Sequence, residues 1–205
     1  MPLENTLVGA ERVVGAATAL FLEKGYAGTS MAQVAREAGM QKASLYHHFE
    51  SKEALFVACV TAGYDAVLDR MRDVRDRPNL SHEEKLRSAL DIAHETIVLS
   101  SVGRMSPLIA ETSRSIPEVA RSFWEQHIAL MHELVWSIVE RGIREGAFRK
   151  IDRTTFELML FGPIVYLSLS NQMFGRFEDL AAHFEPEHCR RSHKDAVMRF
   201  LEIAE

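Results

Sequence analysis

Residues 25–56 read GYAGTSMAQVAREAGMQKASLYHHFESKEALF, and this stretch decides the reading of the chain. Ser30 stands three residues before Gln33, the spacing of a capping box, so a helix is expected from about Ser30 to Ala38. Val34, Ala35 and Ala38 fall on its inward face. Gly39 supplies a tight turn, and a second short helix is expected over about Lys42 to His48, with Leu45 and Phe49 four apart on one side. Small residues at 35, 38 and 39 let the two helices cross closely. Two short helices joined by a tight glycine turn form a helix-turn-helix. Such a unit lays its second helix in the major groove of DNA. The outward residues there, Gln41, Lys42, Ser44, Tyr46 and His47, offer hydrogen-bond donors, and Ala43 is small enough for close approach. Thr29 and Ser30 at a helix start suit a phosphate, and Lys52 at the start of the next helix can hold another.

Working outward, about Thr6 to Lys24 forms a helix that buries Val13, Ala16, Ala17, Leu20 and Phe21, with Gly25 as its stop. Ser51 caps a fourth helix expected to run from Lys52 to about Arg75, apolar in its first half and charged in its second. Pro78 and Asn79 break the chain. Further helices are expected at about 82–101, 105–113, 117–145, 153–173 and 187–203. No segment alternates as a strand does, so the fold class is all-α. The expected division is a helix-turn-helix domain over 1–51, a linking helix over 52–77 and a helical effector-binding and dimerisation domain over 78–205.

The stretch from about Val14 to Val60 resembles the DNA-binding domain of the TetR family of regulators. That family's pattern, AxxLFxxxGYxxTS followed by IAxxAGVSxGxLYxHFxSKExL, is matched by Ala17, Leu20, Phe21, Gly25, Tyr26, Thr29, Ser30, Ala35, Ala38, Gly39, Leu45, Tyr46, Phe49, Ser51, Lys52, Glu53 and Leu55. The chain departs from it at Gln41, where the family usually has Ser, and at Ala43, where it often has Gly. Ser is the better helix cap, so Gln41 is free to contact a base. The resemblance implies that Lys42, Ser44, Tyr46 and His47 meet the groove and its walls, and that Thr29 and Lys52 meet phosphates. It also implies an effector pocket in the later helices, a homodimer built on the last two long helices, and repression as the usual mode.

Composition sets bounds on this reading. The 205 residues are 47% hydrophobic and 26% charged, which is ordinary for a folded chain with a proper core. Net charge is −5, and residues 1–60 carry five basic against six acidic groups. A protein that coats DNA without sequence preference would be basic, whereas a sequence-specific reader needs only a few well-placed cations. No apolar run reaches the length of a membrane span, and the N-terminus has no signal-peptide pattern. Cys59 and Cys189 are far apart, with no CxxC spacing, so a reducing cytoplasm is expected.

In the later helices, Val119, Phe123, His127, Leu130, Leu134 and Ile138 form a stripe, with Trp124, Met131 and Trp136 flanking it, and Leu90, His94, Ile97 and Ser101 form another. A histidine inside an apolar face is either a satisfied core group or part of a ligand cavity. His94, Met105, Trp124, His127, Met131, Phe161 and Tyr166 are the pocket candidates, and a hydrophobic or aromatic effector is expected. The segment 153–173 is apolar on more than one face, and a helix of that kind is buried on more than one side. A second subunit is the expected cover, with Phe156, Leu160, Pro163, Leu167, Val197, Phe200 and Leu201 as interface candidates. A dimer would set its recognition helices roughly 34–36 Å apart and require a near-palindromic operator.

Two other readings compete. A metal-holding helical bundle would want two ExxH motifs on facing helices; the chain has one, Glu185-Pro-Glu-His188, on a proline near a helix start. With no HExxH and no legible nucleophile–base pair, neither enzymatic activity nor a metal or other cofactor is expected. The second rival is a DNA-binding regulator controlled by a protein partner, against which the polar residues on apolar faces weigh.

Overall fold

A computed structural model describes residues 2–202, with side chains from Gly9 onward except Val102. Two compact units are present: residues up to Tyr64 together with Met105–His127, and Asp65–Arg104 together with the chain from Ile128 onward. Among the described residues every regular element is helical. The helices are α1 (Pro2–Gly28), α2 (Met31–Glu37), α3 (Lys42–His48), α4 (Lys52–Thr61), α5 (Tyr64–Asp76), α6 (His82–His94), α7 (Ser101–Arg104), α8 (Ser106–Thr112), α9 (Pro117–Phe123), α10 (Ala129–Arg144), α11 (Arg153–Phe174), α12 (Glu178–Ala181) and α13 (Pro186–Leu201). Wide π turns at Glu95–Leu99 and Trp124–Ile128 extend α6 and join α9 to α10, and a 3₁₀ turn spans Ala182–Phe184.

The first unit is built as its sequence pattern requires. Val13, Ala17, Leu20 and Phe21 of α1 are buried with Val34 and Ala35 of α2, Leu45 of α3, and Leu55, Phe56, Cys59 and Val60 of α4. Gly25, at φ 72°, leaves helical geometry where the stop was expected. Ser30 and Gln33 form the capping box: the Ser30 hydroxyl accepts from Gln33 N–H at 3.3 Å while Gln33 Oε1 accepts from Ser30 N–H at 2.8 Å. Gly39, at φ 64°, makes the turn in a region other residues rarely enter. Met105, Ile109 and Val119 complete this core. The later segment 105–127 thus packs with the N-terminal helices, which its position in the sequence did not suggest.

The expected fourth helix is two. Ala62 leaves the helical region and Gly63 takes φ 86°, so α4 ends at Thr61 and α5 starts at Tyr64. In the second unit, α5, α6, α10, α11 and α13 enclose a core that includes Met71, Leu90, Met131, Ile138, Phe156, Leu160, Ile164, Val197 and Leu201. Asp152 caps α11 by accepting from Thr155 N–H at 2.8 Å, and the helix runs on through Pro163. No helix among the described residues is long and apolar enough to cross a membrane.

Candidate nucleic-acid interface

Helix α3 hangs on one anchor. Leu45 is fully buried, and Phe49 at its end packs against the same core. Gln41, Lys42, Ala43, Ser44, Tyr46 and His47 are all exposed. Gln41 holds the N-cap position without a side-chain cap bond, whereas Ser30 and Ser51 each accept one from their helices. The Lys42 ammonium lies 5.7 Å from the centroid of the Tyr46 ring one turn along, so these two side chains form a unit on one flank. His48 turns the other way, toward α1, where a Cβ on Gly9 would come within 3.1 Å of its Nε2.

The expected phosphate contacts divide. Thr29 is 2% exposed, and its hydroxyl donates to the carbonyls of Gly25 at 2.9 Å and Leu20 at 3.2 Å. It fastens the end of α1 to the start of α2, so its hydroxyl is already spent. Ser30 is exposed, but its hydroxyl closes the capping box. Lys52 is half-buried, with its ammonium 4.1 Å from the centroid of the Tyr26 ring. Burial pulls the Lys52 ammonium below its usual range, and the neighbouring Glu53 carboxylate opposes this. Tyr26 donates to Glu53 Oε1 at 2.9 Å; burial and that carboxylate push the phenol up. Glu53 is held below the usual carboxylate range by its own backbone N–H and the Tyr26 hydroxyl. The Tyr26–Glu53–Lys52 cluster, which the reading of separate motif positions missed, fixes where the Lys52 cation sits.

The pocket candidates divide between the two units. Met105, Trp124 and His127 belong to the first unit, and His94, Met131, Phe161 and Tyr166 to the second. Met105 and Met131 are core residues of their units, whereas Trp124 and Tyr166 are 54% and 64% exposed. His127 is buried 4.8 Å from the Tyr64 ring centroid. Buried His94 pairs with His193 of α13, Nε2 to Nδ1 at 3.0 Å, and His193 Nε2 donates to the Met159 carbonyl of α11 at 3.2 Å. His94 also borders a recess with Val98, Leu99, Pro186, Glu187 and Arg190, of about 20 Å³, room for a single water. A larger cleft in the second unit, of about 320 Å³, is lined by His82, Phe148, Met198 and Leu201 among others and includes none of the expected pocket residues.

The interface candidates need correction. Phe156, Leu160, Leu167, Val197 and Leu201 are at most 4% exposed and belong to the chain's own interior. Phe200 is half-buried beneath the Arg149 guanidinium, 4.2 Å from its ring centroid. Of the seven, Pro163 alone is exposed. The opposite side of α11 is what stands open: Leu158 (69% exposed), Val165, Tyr166, Leu169 and Met173. These residues recur at helical spacing just as the buried set does, so periodicity alone gave two equally good stripes.

Comparison with known proteins places this geometry. Residues 13–59 match the family described as bacterial regulatory proteins, tetR family. The chain is 24% identical over 180 residues to IcaR of Staphylococcus aureus (strain Newman), the negative transcriptional regulator of the biofilm operon icaADBC, covering 86% of this chain and 93% of that one. In fold it is similar to a TetR transcription regulator from Haloarcula marismortui, at TM-score 0.73 and 20% identity, covering 95% of this chain and 98% of that one. It is similar as well to FadR from Bacillus subtilis solved in complex with stearoyl-CoA, at TM-score 0.70 and 18% identity, covering 94% and 99% of the two chains.

Proposed function

The chain belongs, through residues 13–59, to the tetR family of bacterial regulatory proteins, and from that premise we propose that it is a cytoplasmic homodimeric repressor released from a near-palindromic operator by a small effector. The observation that carries the DNA-binding half of this reading is α3: one fully buried leucine and six exposed residues at positions 41–44, 46 and 47, presenting a cation, hydroxyls, an amide and an imidazole. Lys42, Tyr46, Ser44, His47, Gln41 and Ala43 are the proposed contacts, with Lys52 on a phosphate. Thr29 positions the turn from inside, and Ser30 does so by capping α2.

Dimerisation is assigned to the open side of α11, through Leu158, Val165, Tyr166, Leu169 and Met173. Contiguous large apolar side chains of this kind are uncommon on a lone chain and mark a partner surface. A second copy brings α11 against α11, and the two α3 helices then read two half-sites.

The effector is proposed to be largely apolar and to bind in the second unit. The FadR neighbour, solved with stearoyl-CoA, supports apolar bulk in the guest. A cleft of about 320 Å³ falls at the lower end of the volumes ligand sites occupy. An effector that binds the DNA-incompetent state more tightly releases DNA, and a tenfold loss of affinity requires a coupling of only about 1.4 kcal/mol.

Selection from a pool of random duplex DNA tests the reading. The expected product is a sequence with two-fold symmetry, bound by two chains. Enrichment of an asymmetric site bound by one chain would remove the dimer from the proposal, and no enrichment at low salt would remove the DNA-binding role.

A further inference from the structure

Position around α3 sorts its exposed residues into two classes. Leu45, fully buried, marks the inward direction. At about 100° per residue, Ala43 and His47 lie about 160° from it, on either side of the outward pole. Lys42 and Tyr46 lie about 60° and 100° round one flank, and Ser44 lies about 100° round the other. The flank pair is already associated, with the Lys42 ammonium 5.7 Å from the Tyr46 ring centroid. Both residues beside the outward pole, Ala43 and His47, are exposed.

We infer that Ala43 and His47 are the base-reading residues of this chain, specifying a thymine and a purine, while Lys42, Tyr46 and Ser44 hold the backbone walls of the groove. This inference rests on the DNA-binding reading above and names its chemistry. A helix that enters the major groove with Leu45 facing its own domain brings its opposite pole to the base edges first. There Ala43 offers a methyl group alone, and the group in the groove that takes an apolar contact is the C5-methyl of thymine. His47 offers a ring N–H, and N7 of guanine or adenine is an acceptor at that depth. Four residues of helix advance about 6 Å and one base step about 3.4 Å, so the thymine and the purine lie within about two base pairs of each other.

The full-length protein and its selected duplex supply the test. Each thymine in turn is replaced by uracil, which removes only the methyl group. Each purine in turn is replaced by its 7-deaza analogue, which removes only N7. The parent protein should lose affinity on the order of three- to tenfold at one thymine and at one purine per half-site, within two base pairs of each other. Ala43→Gly should abolish the response to uracil and leave the response to the 7-deaza purine; His47→Ala should do the reverse. Ala43→Ser stands in if the glycine variant melts early. A parent indifferent to every uracil and every 7-deaza purine would overturn the inference, as would responses that survive in these variants and vanish in Lys42→Ala or Ser44→Ala. Failure to select any duplex would overturn the DNA-binding reading itself, whereas those outcomes overturn the base assignment alone.

Discussion

Among the described residues, helices α3 and α11 each leave one side largely exposed, and the two sides have opposite chemistry. On α3 a single buried leucine holds seven residues in place, and what is left over is polar. On α11, twenty-two residues long, seven are buried, and the side left over carries Leu158, Tyr166 and Met173, each at least 60% exposed. A polar remainder can stay in water until a polar partner arrives. An apolar remainder costs roughly 25 cal/mol for each Å² kept wet, which favours covering it. The proposed partners match these descriptions, DNA the first and a second copy of the chain the second.

The comparison can be broken on α11 itself. Leu160→Ala, on the buried side, should cost about 2–5 kcal/mol in chemical denaturation, because it opens a cavity in a closed core. Leu158→Arg, two residues away on the open side, should leave the fold intact and yield monomers in sedimentation velocity. Loss of the second half-site should then weaken operator binding on the order of 100-fold, about 2.7 kcal/mol. If Leu158→Arg instead remains a folded dimer while Leu160→Ala yields folded monomers, the two sides have been assigned the wrong way round.

A pH titration probes the interior that α6, α11 and α13 share. The His94 pKa is lowered to about 4 by burial, by His193 and by Arg190, with Asp91 opposing and Lys194 assisting, and burial lowers His193 as well. The unfolded chain therefore takes up protons more readily, and stability rises with pH across this window. Stability should be full above about 6.5 and fall as the pH drops towards 4, by on the order of 2 kcal/mol for His94. Thermal melts should show a shallower decline in His94→Gln; an identical decline would place the acid sensitivity elsewhere.

On the polar side the effects are smaller. Lys42→Ala should reduce the slope of log affinity against log salt by about 1, the signature of one lost phosphate contact, with an unchanged melting temperature. An unaltered slope would mean that Lys42 stays clear of the backbone. Ser30→Ala should cost about 1 kcal/mol of stability through loss of the capping box, and it should weaken DNA binding only as far as it loosens the turn.

The two helices also differ in how much their sequence disclosed. The 25–56 stretch carries its own punctuation: a capping box, a left-handed glycine at 39, and Leu45 isolated among polar neighbours. Each is a local physical constraint, so the helix-turn-helix and its outward residues were legible. Thr29 was the exception, because a hydroxyl bonded back to Gly25 and Leu20 has the same sequence as one facing a phosphate. The second unit has caps of its own, at Ser81 and Asp152, but they mark where helices begin and not which face turns inward. Two apolar stripes on α11 have equal periodicity, and only tertiary packing decides that Leu160 goes inside and Leu158 outside. Met105 belongs to the core of the first unit through contacts far along the chain, and no spacing around it announces that. The break at Gly63 falls within an apolar run that reads as one helix until its backbone is seen at φ 86°.

The most direct test of the central claim is a fluorescence titration of the selected duplex with the parent protein and with a Lys42→Ala, His47→Ala double variant, each verified as folded by its thermal melt. The account predicts two parent chains per duplex and at least a tenfold weaker complex for the variant, with both proteins melting together. Equal binding by the two folded proteins would contradict it, because DNA would then be held by some surface other than α3.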